Sequence, residues 1–263
     1  MEQIILAILS GGAVGFTLGL IGGGGSILAT PLMLYVVGLP PHRAIGTSAL
    51  AVSANAFINF FGHARKRNVF WRSAIIFSIV GVLGAFVGSN IGKALDGKKL
   101  IFYFAILMVV VGILMLRRKP APHVSGATPQ EELTKRMAIQ VALAALGAGA
   151  LSGFFGIGGG FLIVPSLLLS TGMPMIYAIG SSLLSVGTFG LTTAINYSLS
   201  GKVAWLVAAE FIGGGVLGGF LGMRAAIALA PRRSALNRVF AGLIFIVAAY
   251  MIYRSANSVG IHF

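Results

Sequence analysis

The sequence predicts an all-α membrane protein of two homologous, inverted repeats. Each repeat contributes to about eight long hydrophobic helices and two short half-helices, and each half-helix follows a glycine-rich break. Three observations carry this prediction. The chain is 57% hydrophobic and only 9% charged, with a mean hydropathy of +0.97, whereas an ordinary soluble domain is about 25% charged. A shift of 134 residues aligns Gly15 to Val52 with Gly149 to Val186 without a gap, and 16 of these 38 positions are identical. Finally, Gly22-Gly23-Gly24-Gly25-Ser26 is echoed by Gly156-Ile157-Gly158-Gly159-Gly160 inside otherwise apolar sequence.

Apolar runs long enough to span a bilayer, about 17 to 25 residues each, cover residues 3–21, 44–63, 73–92, 100–116, 137–155, 175–199, 203–223 and 235–253. The first run is not a secretory signal, because Glu2 stands where a basic n-region belongs and no polar mature domain follows. It is expected to remain in the mature protein. Two shorter runs, 27–37 and 161–171, follow the glycine clusters, and each rises only about 17 Å as a helix, half a bilayer. The only long polar passage, Arg117 to Lys135, contains Pro120, Pro122, Pro129, Glu131 and Glu132 and reads as a surface connection. The expected organisation is therefore an N-terminal transmembrane repeat over 1–118, a cytoplasmic linker over 119–134 and a C-terminal transmembrane repeat over 135–263.

The repeat is more than shared apolarity. It preserves Gly19 with Gly153, Pro31 with Pro165, Gly38 with Gly172, Pro40 with Pro174, and Ala44-Ile45-Gly46 with Ala178-Ile179-Gly180. The same offset pairs Trp71 with Trp205 and Gly81-Val82-Leu83-Gly84 with Gly215-Val216-Leu217-Gly218. Whether the halves are parallel or inverted depends on the chain path at the glycine clusters. If the chain turns back there, each half crosses an odd number of times and lysine plus arginine divide 13 to 6 between the two sides, against 11 to 8 if it continues. The sharper split is the one that the positive-inside rule favours. Length agrees, since 3–37 as one helix would extend about 52 Å across a hydrocarbon core of roughly 30 Å. Inverted repeats follow, in the inner membrane, with the linker cytoplasmic and both termini outside.

Composition also excludes functions. The net charge of +14 sits in short connections between spans, as membrane topology requires, so nucleic acid is not an expected partner. The chain has no cysteine, hence no thiolate metal site and no thiol catalysis. His42, His63, His123 and His262 have no metal-ligand spacing, and the glycine clusters lack the Lys-Ser/Thr ending of a P-loop. No cofactor, metal or enzymatic activity is predicted.

Irregular backbone at membrane depth survives only where it is buried in protein or lines a cavity, and broken helices commonly build transporter sites. At a helix N-terminus, unpaired N–H groups and the positive end of the helix dipole favour an anion. Gly22, Gly23, Gly24, Gly25 and Ser26, with Gly156, Gly158, Gly159 and Gly160, are therefore candidate anion-binding residues, with a tight hairpin as the competing role. Thr47, Ser48, Ser181 and Ser182 sit at the start of the next span in each half and offer hydroxyl donors without a fixed charge. Back-bonding to the preceding turn is their structural alternative. The duplicated position beside Pro40 and Pro174 points to the substrate. Asn55, Asn59 and Asn196 are further polar residues on these spans, and interhelical hydrogen bonding accounts for them equally well. Glu210 is the one acidic residue well inside a span, a candidate carrier of a coupling proton. The small-xxx-small spacing of Gly84 with Gly88 and Gly218 with Gly222 reads as helix packing.

These residues resemble the sulfite exporter TauE/SafE family, also called the TSUP permeases. The likeness rests on Gly19-Leu20-Ile21-Gly22-Gly23-Gly24-Gly25-Ser26 with Pro31 and Ala44-Ile45-Gly46-Thr47-Ser48, and on the repeat of this pattern from Gly153 to Ser182. The resemblance implies a carrier of sulfur-containing anions such as sulfite, sulfoacetate or other organosulfonates. The expected partners are thus a small anion, the lipid bilayer and a coupling proton or other ion. The expected mechanism is alternating access around a midplane site where the two breaks face each other. An anion channel or a carrier of another small organic anion is the alternative.

Overall fold

The computed structural model describes residues 2–117, 134–156, 160–228, 242 and 245–253. Every regular element among them is helical. In chain order these are α1 (Glu2–Ile21), a 3-10 segment (Gly22–Leu28), α2 (Ala29–Tyr35), α3 (Pro41–Arg65), α4 (Trp71–Ala94), α5 (Gly97–Arg117), α6 (Lys135–Phe155), α7 (Gly160–Thr171), α8 (Met175–Ser198) and α9 (Trp205–Ala228). Residues 245–253 are also helical. The eighth expected run, 235–253, lies partly outside the described residues, as does nearly all of the linker over 119–134. Among the described residues, six helices are long and apolar enough to cross a membrane, α1, α3, α4, α6, α8 and α9, where eight long runs were expected. Their outward faces are greasy, as Ile75, Ile79, Leu83, Phe86 and Ile91 along α4 show. A continuous exposed apolar face of this length is untenable in water and normal in lipid.

Proline and glycine set the helix boundaries in matching places. Pro40 and Pro174 stand at the N-caps of α3 and α8, where a missing N–H costs nothing and the fixed φ suits a helix start. Gly38 and Gly172 precede them with φ of +81° and +68°, a left-handed turn that glycine adopts without strain.

The first glycine cluster behaves differently from a simple gap between helices. Four consecutive glycines hold α geometry poorly, and here they wind into the tighter 3-10 form, which uses i to i+3 bonds. The chain nonetheless reverses across this segment. The side chain of Gln3 donates from Nε2 to the Val37 carbonyl at 3.2 Å, which brings the start of α1 beside the end of α2.

Packing exchanges partners across the linker. A methyl group built on Gly11, Gly15 or Gly19 of α1 would strike the backbone of Phe211, Gly215 or Gly219 on α9, respectively. Likewise one built on Gly149 or Gly153 of α6 would strike Gly81 or Ala85 on α4. In both pairs the contacting numbers rise together, so the helices run parallel with backbones in direct contact. Gly84, Gly88, Gly218 and Gly222 serve the same seams, facing Leu146, Ala150, Gly12 and Phe16. The most enclosed spans, α3 and α8, cross antiparallel between these pairs. Gly46 lies by Tyr197 and Gly180 by His63, and at the centre Ser53 donates to the Gly187 carbonyl at 2.7 Å across an offset of 134 residues.

Candidate functional site

Because α3 and α8 run in opposite directions, their hydroxyl-bearing starts lie at different levels. Thr47 and Ser181 each stand six residues from the Ser53–Gly187 contact, or about 9 Å along the axis on either side and about 18 Å from one another. The structure therefore gathers the predicted residues into two groups. Thr47 and Ser48 join the second glycine cluster, and Ser181 and Ser182 lie towards the end at which α4 begins.

At the first level, Thr47 and Ser48 are fully buried. Thr47 Oγ1 accepts the Ala204 N–H at 2.9 Å, just ahead of α9. Ser48 Oγ donates to the Ile45 carbonyl at 3.1 Å, shares a hydrogen bond of 2.9 Å with Thr30 Oγ1 and lies 3.5 Å from the Gly156 carbonyl. Gly156 ends α6 in the left-handed conformation, φ +68°, with its N–H on the Ser152 carbonyl at 2.8 Å. A side chain here would strike Ile45. The turn closes α6 against Ile45 and Ser48 of the other half, and α7, with Gly160 buried, packs against the 3-10 segment, α6 and α8. Gly158 and Gly159 lie outside the described residues.

At the second level the arrangement is matched only in part. Ser181 Oγ accepts the Phe70 N–H at 2.9 Å, the counterpart of the Thr47 bond, and so satisfies the N-cap amide of α4. Ser182 Oγ donates back to the Ile179 carbonyl at 2.8 Å. The 3-10 segment from Gly22 packs against α7 and α8, with Ser26 buried and Gly25 tight against Thr17 and Leu18. None of Gly22 to Gly25 has positive φ, and in 3-10 geometry their amides are turned into local pairing. Among the described residues of the two clusters, Gly156 supplies a left-handed turn.

The Thr47 and Ser181 bonds yield a prediction on stability. Thr47→Val keeps the shape but strands the part-buried Ala204 N–H, at the lower end of the roughly 1–3 kcal/mol that an unsatisfied buried donor costs. Ser181→Ala strands the buried Phe70 N–H and should cost more within that range, and thermal unfolding in detergent measures both.

Other polar residues organise the ends of the bundle. Lys93 Nζ donates to Asn196 Oδ1 at 2.6 Å, to the Asn196 carbonyl at 3.1 Å and to Ser200 Oγ at 3.2 Å. Asn196 Nδ2 donates to Ser89 Oγ at 2.6 Å, so this residue ties α8 to α4. Glu210 is half-buried on α9, and among the described residues no hydrogen bond at either level involves it. Sequence reasoning missed Thr30, whose repeat counterpart is Val164 and which no motif marks.

Comparison with known proteins identifies the family. The family model described as sulfite exporter TauE/SafE matches residues 7–251. A probable membrane transporter protein of Xylella fastidiosa (strain 9a5c) is 56% identical over 257 residues, covering 97% of each chain. The probable membrane transporter protein YunE of Bacillus subtilis is 27% identical over 278 residues, covering 98% of this chain and all of that one. A probable membrane transporter protein of Methanocaldococcus jannaschii is 30% identical over 209 residues, 77% of this chain and 72% of the other. No solved structure matches. With a family match across nearly its whole length and relatives named as membrane transporters, this multi-pass helical chain belongs to the sulfite exporter TauE/SafE family of membrane transporters.

Proposed function

We propose that the protein is a secondary transporter of small sulfur-containing anions, sulfite, sulfoacetate or another organosulfonate, working by alternating access. It is built from inverted repeats, 1–118 and 135–263, joined by a cytoplasmic linker over 119–134, with both termini outside the inner membrane. The antiparallel meeting of α3 and α8 at their own repeat counterparts, Ser53 and Gly187, supports the inversion.

The observation that carries the functional reading is the meeting of Ser48 with Thr30 and the Gly156 turn. Here a helix start from one half faces the glycine break of the other inside the membrane. Backbone N–H groups of Gly158, Gly159 and Gly160 would hold anionic oxygens at the N-terminus of α7, with Thr47 and Ser48 beside them. Gly24, Gly25 and Ser26, with Ser181 and Ser182, form the corresponding station at the other level. Its amides bind once the 3-10 pairing opens. Two stations about 18 Å apart on opposite sides of the crossing suit a carrier that exposes each in turn. An ion gradient drives the cycle, with Glu210 carrying the proton.

Purified protein in proteoliposomes tests this. A carrier accumulates sulfite or sulfoacetate against a gradient, with acetate and chloride as controls, whereas a channel only equilibrates them. Ser48→Ala should lower apparent affinity about tenfold or more, the worth of one hydrogen bond to a charged group. Glu210→Gln should abolish the response to an imposed pH gradient. Equal handling of all four anions by the wild type would refute the sulfur-anion reading.

A further inference from the structure

The two seams that flank the α3/α8 crossing are related by the 134-residue offset but differ in make-up. Where α8 meets α4, Phe189 lies against Gly81 and stacks on Phe77 with ring centroids 6.1 Å apart. The Ser78 and Ser185 hydroxyls share a hydrogen bond of 3.0 Å across the same seam. Where α3 meets α9, Asn55 replaces Phe189, Gly215 replaces Gly81, and Ile212 and Ala51 replace the bonded serines. This second seam has neither the aromatic stack nor that hydrogen bond.

Its polar groups are also left unpaired. Asn55 is 0% exposed, lies against Gly215, and has no partner for either Nδ2 or Oδ1. One turn further on, Asn59 faces Gly219 and donates to the Asn55 carbonyl at 2.8 Å. One more turn along, buried His63 has an unpartnered Nδ1 and sits by Gly180. An amide with both halves unsatisfied is among the costliest neutral groups to bury, and polar groups within spans ordinarily face a pathway. A phenylalanine serves the same position in the other half, so the packing itself does not call for an asparagine.

We propose that the α3/α9 seam is the one that opens during transport. Asn55, Asn59 and His63 line the path that this opening exposes, and Asn55 is a mid-membrane contact for the oxyanion. Its Nδ2 donates to an anionic oxygen, and its Oδ1 accepts from water travelling with the ion. The identity of the cargo rests on the transport reading above, but the opening of the seam does not.

The chain has no cysteine, so single-cysteine variants report directly. The probe is 2-sulfonatoethyl methanethiosulfonate, a membrane-impermeant sulfonate. A cysteine thiolate attacks its sulfenyl sulfur, forming a mixed disulfide and expelling methanesulfinate. In proteoliposomes, Asn55→Cys and Asn59→Cys should label at least about tenfold faster than Phe189→Cys, because only a hydrated thiol reacts readily. If both asparagine variants fold and label no faster than Phe189→Cys, the seam does not open and the proposal fails. If Asn55→Cys does not fold, Asn59→Cys decides. Sulfoacetate should slow labelling of Asn55→Cys, and labelling that it leaves unchanged overturns the anion contact at that residue. Wild-type vesicles that accumulate no sulfite or sulfoacetate would refute the transport reading while leaving the labelling result intact.

Discussion

Replacing Gly15 or Gly149 with leucine is expected to leave little folded protein after detergent extraction. The would-be side chains meet the carbonyls of Gly215 and Gly81 in the opposite half, and a helix backbone cannot yield as a flexible side chain can. Overpacking a tight interior costs roughly 1–3 kcal/mol, and here the upper end applies because whole helices must separate. That is a large part of a total stability of about 5–15 kcal/mol. The same change in chemistry should have the opposite sign where space is open. Gly147 and Gly213 have nothing within 4 Å of a built Cβ, so alanine there should stabilise by about 0.5–1 kcal/mol through helix propensity. Melting temperatures and monodispersity of the four variants provide the measurement. Wild-type behaviour of the Gly15 and Gly149 variants would mean that these seams are not the close backbone contacts described.

Gly156→Ala is expected to abolish sulfite or sulfoacetate uptake, with a loss of about a hundredfold or more. Two effects combine. A left-handed backbone costs a non-glycine residue roughly 1–2 kcal/mol, and the added Cβ meets the Ile45 side chain and carbonyl. Relief of either strain displaces the turn that closes α6 against Ser48. Trimming the obstacle should separate the effects, so Gly156→Ala combined with Ile45→Ala should recover part of the uptake but not the backbone cost. Initial uptake rates in proteoliposomes decide this, and full activity of the single variant would remove Gly156 from the site.

Much of this architecture was legible before any coordinates, because it depends on local sequence. Apolar runs coincide with α1 to α9 of the described residues, six of them long and apolar enough to cross a membrane, and Pro40 and Pro174 marked the starts of α3 and α8. The length of 3–37 against the thickness of a bilayer pointed to a chain that turns back, as the Gln3–Val37 bond now records. Other features depend on tertiary packing and could not be read. The 134-residue offset says which residues correspond but not which half each one touches. The exchange by which α1 packs on α9 and α6 on α4 is thus invisible, as is the assignment of Thr47 with Ser48 to one level and Ser181 with Ser182 to the other. Both clusters looked equally able to expose amides. Among the described residues of the two clusters, Gly156 adopts the left-handed turn, while Gly22 to Gly25 close into 3-10 pairing. Asn55 was visible as a polar residue in a span, but its lack of partners appears only when α9 is placed against it.

The central claim is that an oxyanion binds inside the membrane where Ser48 meets the Gly156 turn. Selenite carries the shape and charge of sulfite together with an anomalous scatterer, so a crystal structure of the protein soaked in selenite tests the claim most directly. The account predicts an anomalous peak within hydrogen-bonding distance of Ser48 Oγ and the first amides of α7. A peak confined to the lysine- and arginine-rich surface, with none between α3 and α7, would contradict it.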